Sequence, residues 1–233
     1  MRRISWASPL AVVALLAGAG CMTQRKGAAL TEVQQLVGWI ERVHTSAELA
    51  KERTHAAMNE LQSIAALEFE GDPVAAYTSF AVAVDQSGKQ VADLQKCLLS
   101  LKDAGEPVFK HWAEDLATFD GADLRARSEA RLSETRKRYD AVLAAADAAR
   151  TTYETFDRKL RDYCIYLGHD LNASSVAAIE GDVRAMVEMN VALEARLEAC
   201  QEAARSYVEA AALPTTKPVS SEPAPRRGAR GSG

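Results

Sequence analysis

Two Glu-x-x-His pairs, Glu41/His44 and Glu52/His55, have the spacing that could do metal chemistry in this chain. Residues three apart share a helix face, and carboxylate-bridged di-metal bundles hold their ions with such pairs. Those centres need the motif on two helices, with further glutamates pointing inward. Here both pairs fall on one predicted helix, on its charged side, which reads as a solvated face rather than a ligand set. The other histidines, His111 and His169, stand far away in sequence. There is no G-x-S-x-G, no H-E-x-x-H, no phosphate loop and no dinucleotide fingerprint. The pattern therefore offers no catalytic residues, and neither a metal nor a cofactor is expected.

The residue with the most definite chemistry is Cys21. A basic start, Met1-Arg2-Arg3, leads into the apolar run Leu10–Ala19, which ends in Ala17-Gly18-Ala19-Gly20 directly before the cysteine. That order is the basic, apolar and small-residue sequence of a secretory signal. With a cysteine at the junction it resembles a bacterial lipobox, in which the thiol receives a diacylglycerol and becomes the mature N-terminus. Gly18 stands where the box usually has a large aliphatic residue, and Leu16 lies two places upstream. Residues 1–20 thus read as a signal peptide, Cys21 as the lipidation site and 21–30 as the lipidated cysteine and a polar tether. Met22 (rather than Asp) after the cysteine points to the periplasmic face of the outer membrane under Gram-negative sorting.

The elements that follow are legible from apolar spacing. From the first predicted helix come Val33, Leu36, Ile40, Val43, Ala47, Ala50, Thr54, Ala57, Leu61 and Ile64. The second gives Tyr77, Phe80, Val84, Ser87, Val91, Leu94, Leu98, Leu101, Gly105, Val108 and Trp112. The third gives Leu132, Thr135, Tyr139, Val142, Ala146, Ala149, Tyr153, Phe156, Leu160, Tyr163 and Leu167. The fourth gives Ile179, Val183, Met186, Asn190, Leu193, Leu197, Cys200, Ala204, Tyr207 and Ala211. Steps of three and four without a slip make a seam of period 3.5, the mark of coiled-coil packing. Gly71-Asp72-Pro73, Asp120-Gly121 and Asn172-Ala173-Ser174-Ser175 break the pattern, the last with a serine as N-cap. Gly105-Glu106-Pro107 reads as a kink, because the second seam keeps its phase beyond it.

The expected fold is all-α: an elongated antiparallel bundle of four long helices, about 31–69, 73–118, 123–171 and 174–212, in one domain over 31–213. Short connections force neighbours antiparallel, and helices of about 40–50 residues give a rod on the order of 60–75 Å. From 214 to 233 the chain is Pro-, Ser- and Gly-rich with Lys217, Arg226, Arg227 and Arg230, a disordered basic tail. The whole chain carries a net charge of −4, and loss of Arg2 and Arg3 with the signal leaves −6. An acidic rod of this kind does not bind nucleic acid.

Cys97, Cys164 and Cys200 read as small buried apolar residues. No disulfide is expected. Cys97 and Cys200 are nearly level, but on helices that are diagonal in a square bundle; a bridge between them needs a three-helix arrangement that makes those helices neighbours. Arg125, Arg127, Arg131, Arg136, Lys137 and Arg138, interleaved with Asp123, Glu129 and Glu134, read as a salt-bridged exposed face. Asn190, alone in an apolar seam, reads as a register-fixing residue. His169 and Asp170 beside Asn172 read as a helix-end cap, with binding as the alternative.

The segments His111–Leu116 (HWAEDL), Leu124–Ser128 (LRARS), Leu132–Tyr139 (LSETRKRY) and Leu167–Ala173 (LGHDLNA) together resemble the bacterial lipoprotein family called Domain of Unknown Function 2959. The resemblance covers most of 31–212 and is densest from Trp112 to Ala173. It implies an exported, lipid-anchored protein of long helices and carries no activity. The chain thus reads as a non-enzymatic envelope lipoprotein, a helical scaffold or spacer presenting coiled-coil faces to an envelope protein partner. It is anchored in the membrane through Cys21, with a homo-oligomer open. The alternatives are a membrane-surface binding or remodelling protein and a metal-dependent bundle enzyme.

Overall fold

A computed structural model describes residues 20–66 and 71–211, with side chains from Leu30 onward. The signal peptide read at 1–20 falls, but for Gly20, outside the described residues, as does the tail at 214–233. Four helices make up the described chain: α1 (Gly20–Ile64), α2 (Pro73–Leu116), α3 (Ala122–His169) and α4 (Ala173–Ala211). They form an up-down-up-down bundle. Each helix packs on its neighbours in sequence, and α4 closes the ring on α1. α1 and α3 lie across one diagonal, and α2 and α4, on the other, make no close approach among the described residues. At 1.5 Å per residue the 45 residues of α1 span about 67 Å.

The seams are the core. Every seam position of α1 from Leu36 to Ile64 is buried, as is every one of α2 from Phe80 to Val108. In α4 the same holds from Ile179 to Tyr207. The exceptions are at the ends, where neighbours run out: Val33 and Ala211 are exposed, and Tyr77, Trp112, Leu132 and Thr135 are half-buried. Within α3 only Tyr163 is half-buried between Tyr139 and Leu167. Each large apolar side chain so buried contributes roughly 1.5–3 kcal/mol relative to exposure, spread evenly along the rod.

Off the seams, Ser46, Met58, Phe109, Asp157 and Ser175 are also buried. Ser46 is covered by Gln90 of α2, whose Nε2 donates to its carbonyl at 3.0 Å and its hydroxyl at 2.9 Å.

The helix bounds correct the sequence reading at three places. α1 begins at Gly20 rather than near 31, so the backbone of 21–30 is helical. It also stops at Ile64, its last seam position, with Ala65 still half-buried against the core beyond it, and 67–70 lie outside the described residues. Third, the N-cap of α4 is Asn172 and not a serine: its Oδ1 accepts from the backbone N–H of Ser174 at 2.9 Å and of Ser175 at 3.0 Å.

α2 starts as read. Gly71 has φ 150°, a region open to glycine, Asp72 accepts from Val74 N–H at 2.9 Å, and Pro73 takes the first turn. α2 also runs unbroken past Pro107 to Leu116.

Candidate interaction surface

Three tyrosines set the register of α2 against α3. Tyr77 donates its hydroxyl to the carbonyl of Cys164 at 3.2 Å, Tyr153 to that of Ser87 at 3.0 Å, and Tyr139 to that of Leu101 at 3.2 Å. Ser87 Oγ returns a bond to the Tyr153 oxygen at 3.2 Å. The pairing moves from 77 to 87 to 101 on α2 as it retreats from 164 to 153 to 139 on α3, so the helices keep step. Two glycines make room. A Cβ on Gly105 would lie 2.4 Å from the Tyr139 ring, and one on Gly168 would lie 2.4 Å from the Tyr77 hydroxyl. Burial pushes the Tyr139 and Tyr153 hydroxyls above their ordinary titration range.

Around Tyr139 the α2–α3 surface becomes aromatic and cationic. The Phe109 and Tyr139 rings lie 5.0 Å apart, and the Arg136 guanidinium sits 4.9 Å above Phe109 while its Nε donates to Asp140 at 3.2 Å. Two shallow grooves flank Arg136. One, of about 420 Å³, runs between Ala113, Leu116, Glu129 and Leu132. The other, of about 510 Å³, runs between Lys102, Glu106, Lys110 and Leu143. Arg125 pairs with Glu129 and Arg138 with Glu134 at i,i+4 spacing, so this stretch of α3 is the salt-bridged face its sequence describes. Such exposed pairs contribute little to stability.

The same end of the bundle receives the start of α1. His111 Nδ1 of α2 lies 2.9 Å from Glu32 Oε2 of α1, and Trp112 Nε1 donates to Ser128 Oγ of α3 at 2.9 Å. These contacts put the α2–α3 turn and the N-terminal turns of α1, with Cys21, at one end of the rod. The Cys21 side chain is outside the described residues.

The remaining candidates separate. Glu41 and Glu52 are exposed on α1, and His55 Nδ1 faces Glu194 Oε1 of α4 at 3.5 Å rather than Glu52. Among the described residues no three His, Cys, Asp or Glu side chains converge as metal ligands. Asp170 and Asn172 organise the α3–α4 turn: Ser175 Oγ donates to Asp170 Oδ2 at 2.9 Å, and Asn172 Nδ2 donates to Asp170 Oδ1. His169 closes the last turn of α3.

Asn190 is buried and its Nδ2 donates to Glu194 at 2.8 Å, while its Oδ1 has no partner. The three described cysteines are free, and Cys97 and Cys200 sit on the diagonal helices α2 and α4. Only Cys200 is fully buried, whereas Cys97 and Cys164 are half-buried, because they lie beside the seam rather than on it. Burial raises the Cys200 thiol to about 12 and moves Cys97 in the same direction.

Sequence reasoning missed the carbonyl targets of the tyrosines and the pairing of the buried Asp157 with the exposed Arg161. Arg161 Nε donates to Asp157 Oδ2 at 2.8 Å, and its guanidinium fills the space that a Cβ on Gly88 would take. The i,i+4 spacing of Asp157 and Arg161 and the mid-helix glycine were the available signals.

The chain belongs to the family described as Protein of unknown function (DUF2959), whose model matches residues 27–211. The match takes in nearly all of the four helices. No curated protein and no solved structure matches the chain.

Proposed function

We propose that this protein is a non-enzymatic envelope lipoprotein, a helical spacer anchored through Cys21 that presents its long faces to a protein partner. The observation that carries the reading is the position of Cys21, the second residue of a helix that runs the full length of the bundle. A lipid at that point tethers a rod by its end, and displays the far turn at Asn172 some tens of ångströms from the membrane. A core packed along the whole length suits a spacer, since the four helices resist bending together. The Arg136 grooves, with cations on an aromatic floor, are the surface best equipped to meet an acidic partner segment. No helix among the described residues is long and apolar enough to cross a membrane. Delivery to the periplasmic face of the outer membrane follows from Met22 after the cysteine.

The test is acylation. Inhibition of lipoprotein signal cleavage should accumulate a slower-migrating precursor, and Cys21→Ser should abolish palmitate labelling. Unchanged migration and labelling in both would defeat the anchor. Charge reversal at Arg136 should then release a co-purifying protein without loss of helicity.

A further inference from the structure

At the end that carries Cys21, the α2–α3 turn leaves two large apolar side chains in solvent: Phe119 is 38 % exposed and Leu124 61 %. They are two of eleven large apolar side chains exposed among the described residues, and their place by the α2–α3 turn at the Cys21 end sets them apart. Their height relative to Cys21 follows from the contacts that tie the helices together. Glu32 is level with His111. Eleven helical residues carry α1 from Glu32 back to Cys21, a rise of about 16 Å. From His111 the chain climbs to the end of α2 at Leu116 and on to Phe119, eight residues that rise about 12 Å at the same pitch. Leu124, four residues before Ser128, stands about 7 Å above His111. Its Cα–Cβ bond leans toward the start of α3, and so toward the tip.

We infer that the α2–α3 turn is a second membrane contact, with Phe119 and Leu124 entering the headgroup layer beside the acylated Cys21 and fixing the tilt of the rod. The inference rests on the lipoprotein reading and adds the surface that meets the bilayer. The occupant is a lipid surface because this end of the rod carries Cys21, the residue that the lipoprotein reading acylates. Headgroup layers are about 5–8 Å thick, and interfacial side chains bury about 5–10 Å, which matches the gap of about 4–9 Å below Cys21. Asp115, Asp120 and Asp123 border the two apolar residues, and Arg125 is paired with Glu129. The contact is therefore apolar and suits a zwitterionic surface rather than an anionic one.

The full-length acylated protein is reconstituted into phosphatidylcholine vesicles containing a lipid with a nitroxide on its headgroup. Phe119→Trp and, separately, Leu124→Trp are compared with Val74→Trp at the opposite end of the rod, after subtraction of the parent signal from its own tryptophans. Emission from the tryptophan added at 119 or 124 should fall at least about twofold with quencher lipid, and that at 74 should not change. Vesicle-bound, acylated protein with no quenching at 119 and 124 would overturn the second contact and leave the anchor standing. Quenching that appears only after anionic lipid is added would overturn its apolar character. Protein that is neither acylated nor vesicle-bound would remove the lipoprotein reading, and this contact with it.

Discussion

Tyr139 stands where Gly105 has no side chain: its ring lies 2.4 Å from the place a Cβ would take, and its hydroxyl reaches the Leu101 carbonyl at 3.2 Å. A helix-breaking residue is thereby a packing device. Gly105→Ala should destabilise the protein by about 1–3 kcal/mol through forced displacement of the ring, despite a helix-propensity gain of about 1 kcal/mol. Gly168→Ala, against Tyr77, should act in the same direction. Gly38→Ala and Gly181→Ala, where nothing lies within 4 Å, should stabilise instead. Denaturant midpoints for the four variants check the contrast, and a gain at 105 equal to that at 38 would refute it.

Asn190 buries a carbonyl oxygen with no partner in the middle of the α4 seam. An orphaned buried acceptor costs about 1–3 kcal/mol. Asn190→Leu should therefore raise the melting temperature, with a looser choice of register as the counterpart. A lowered melting temperature would mean that the amide supports something other than register.

Stability should fall in alkali. Burial holds the Cys200 thiol at about 12 against an ordinary 9.0, and the Tyr207 hydroxyl at about 12 against 10.0. Between those limits the folded chain keeps protons that the unfolded chain has lost, so stability is full below about pH 9 and declines as pH rises toward 12. Each group contributes a slope on the order of 1.4 kcal/mol per pH unit within its window. Denaturant titrations across that range should show the decline, and Cys200→Ala should make it shallower between about pH 9 and 10, leaving the contribution of Cys97 there. An unchanged midpoint up to pH 12 would contradict the burial.

Thiol accessibility should divide the cysteines. Cys97 and Cys164 should react with a small disulfide reagent in the native state, while Cys200 should be modified only at the rate of unfolding. Non-reducing mass spectrometry should find no Cys97–Cys200 bridge, since among the described residues no Cα of α2 comes within 8 Å of one in α4. A bridge between them would require a different arrangement of the helices.

The seams were readable because burial in a long bundle repeats with one period, so Leu36, Phe80, Val142 and Leu193 announce themselves by spacing. The limits of α1 were harder to read. Its first turns back to Gly20 lack the apolar repeat, and helix without that repeat leaves little trace in a pattern. Asn172 was passed over as a cap because the serines after it are equally good cap residues; only the direction of its Oδ1 decides. The surface around Arg136 was half legible. Charge alternation gave the salt-bridged face, but its aromatic floor needed Phe109, which lies off the seam. Gly105 was read as part of a kink, since a sequence does not say which tyrosine will come to rest on it.

The three tyrosine bonds also bear on how such a protein can change in length. Removing residues from α2 between Ser87 and Leu101 would shift one donor–acceptor pair while leaving the other two in place. The loss can be absorbed only by an equal deletion in α3 between Tyr139 and Tyr153, and by matching cuts of whole seam repeats in α1 and α4. Relatives of different reach should therefore differ by coordinated insertions or deletions of about seven residues in all four helices, and hardly ever by an indel in one.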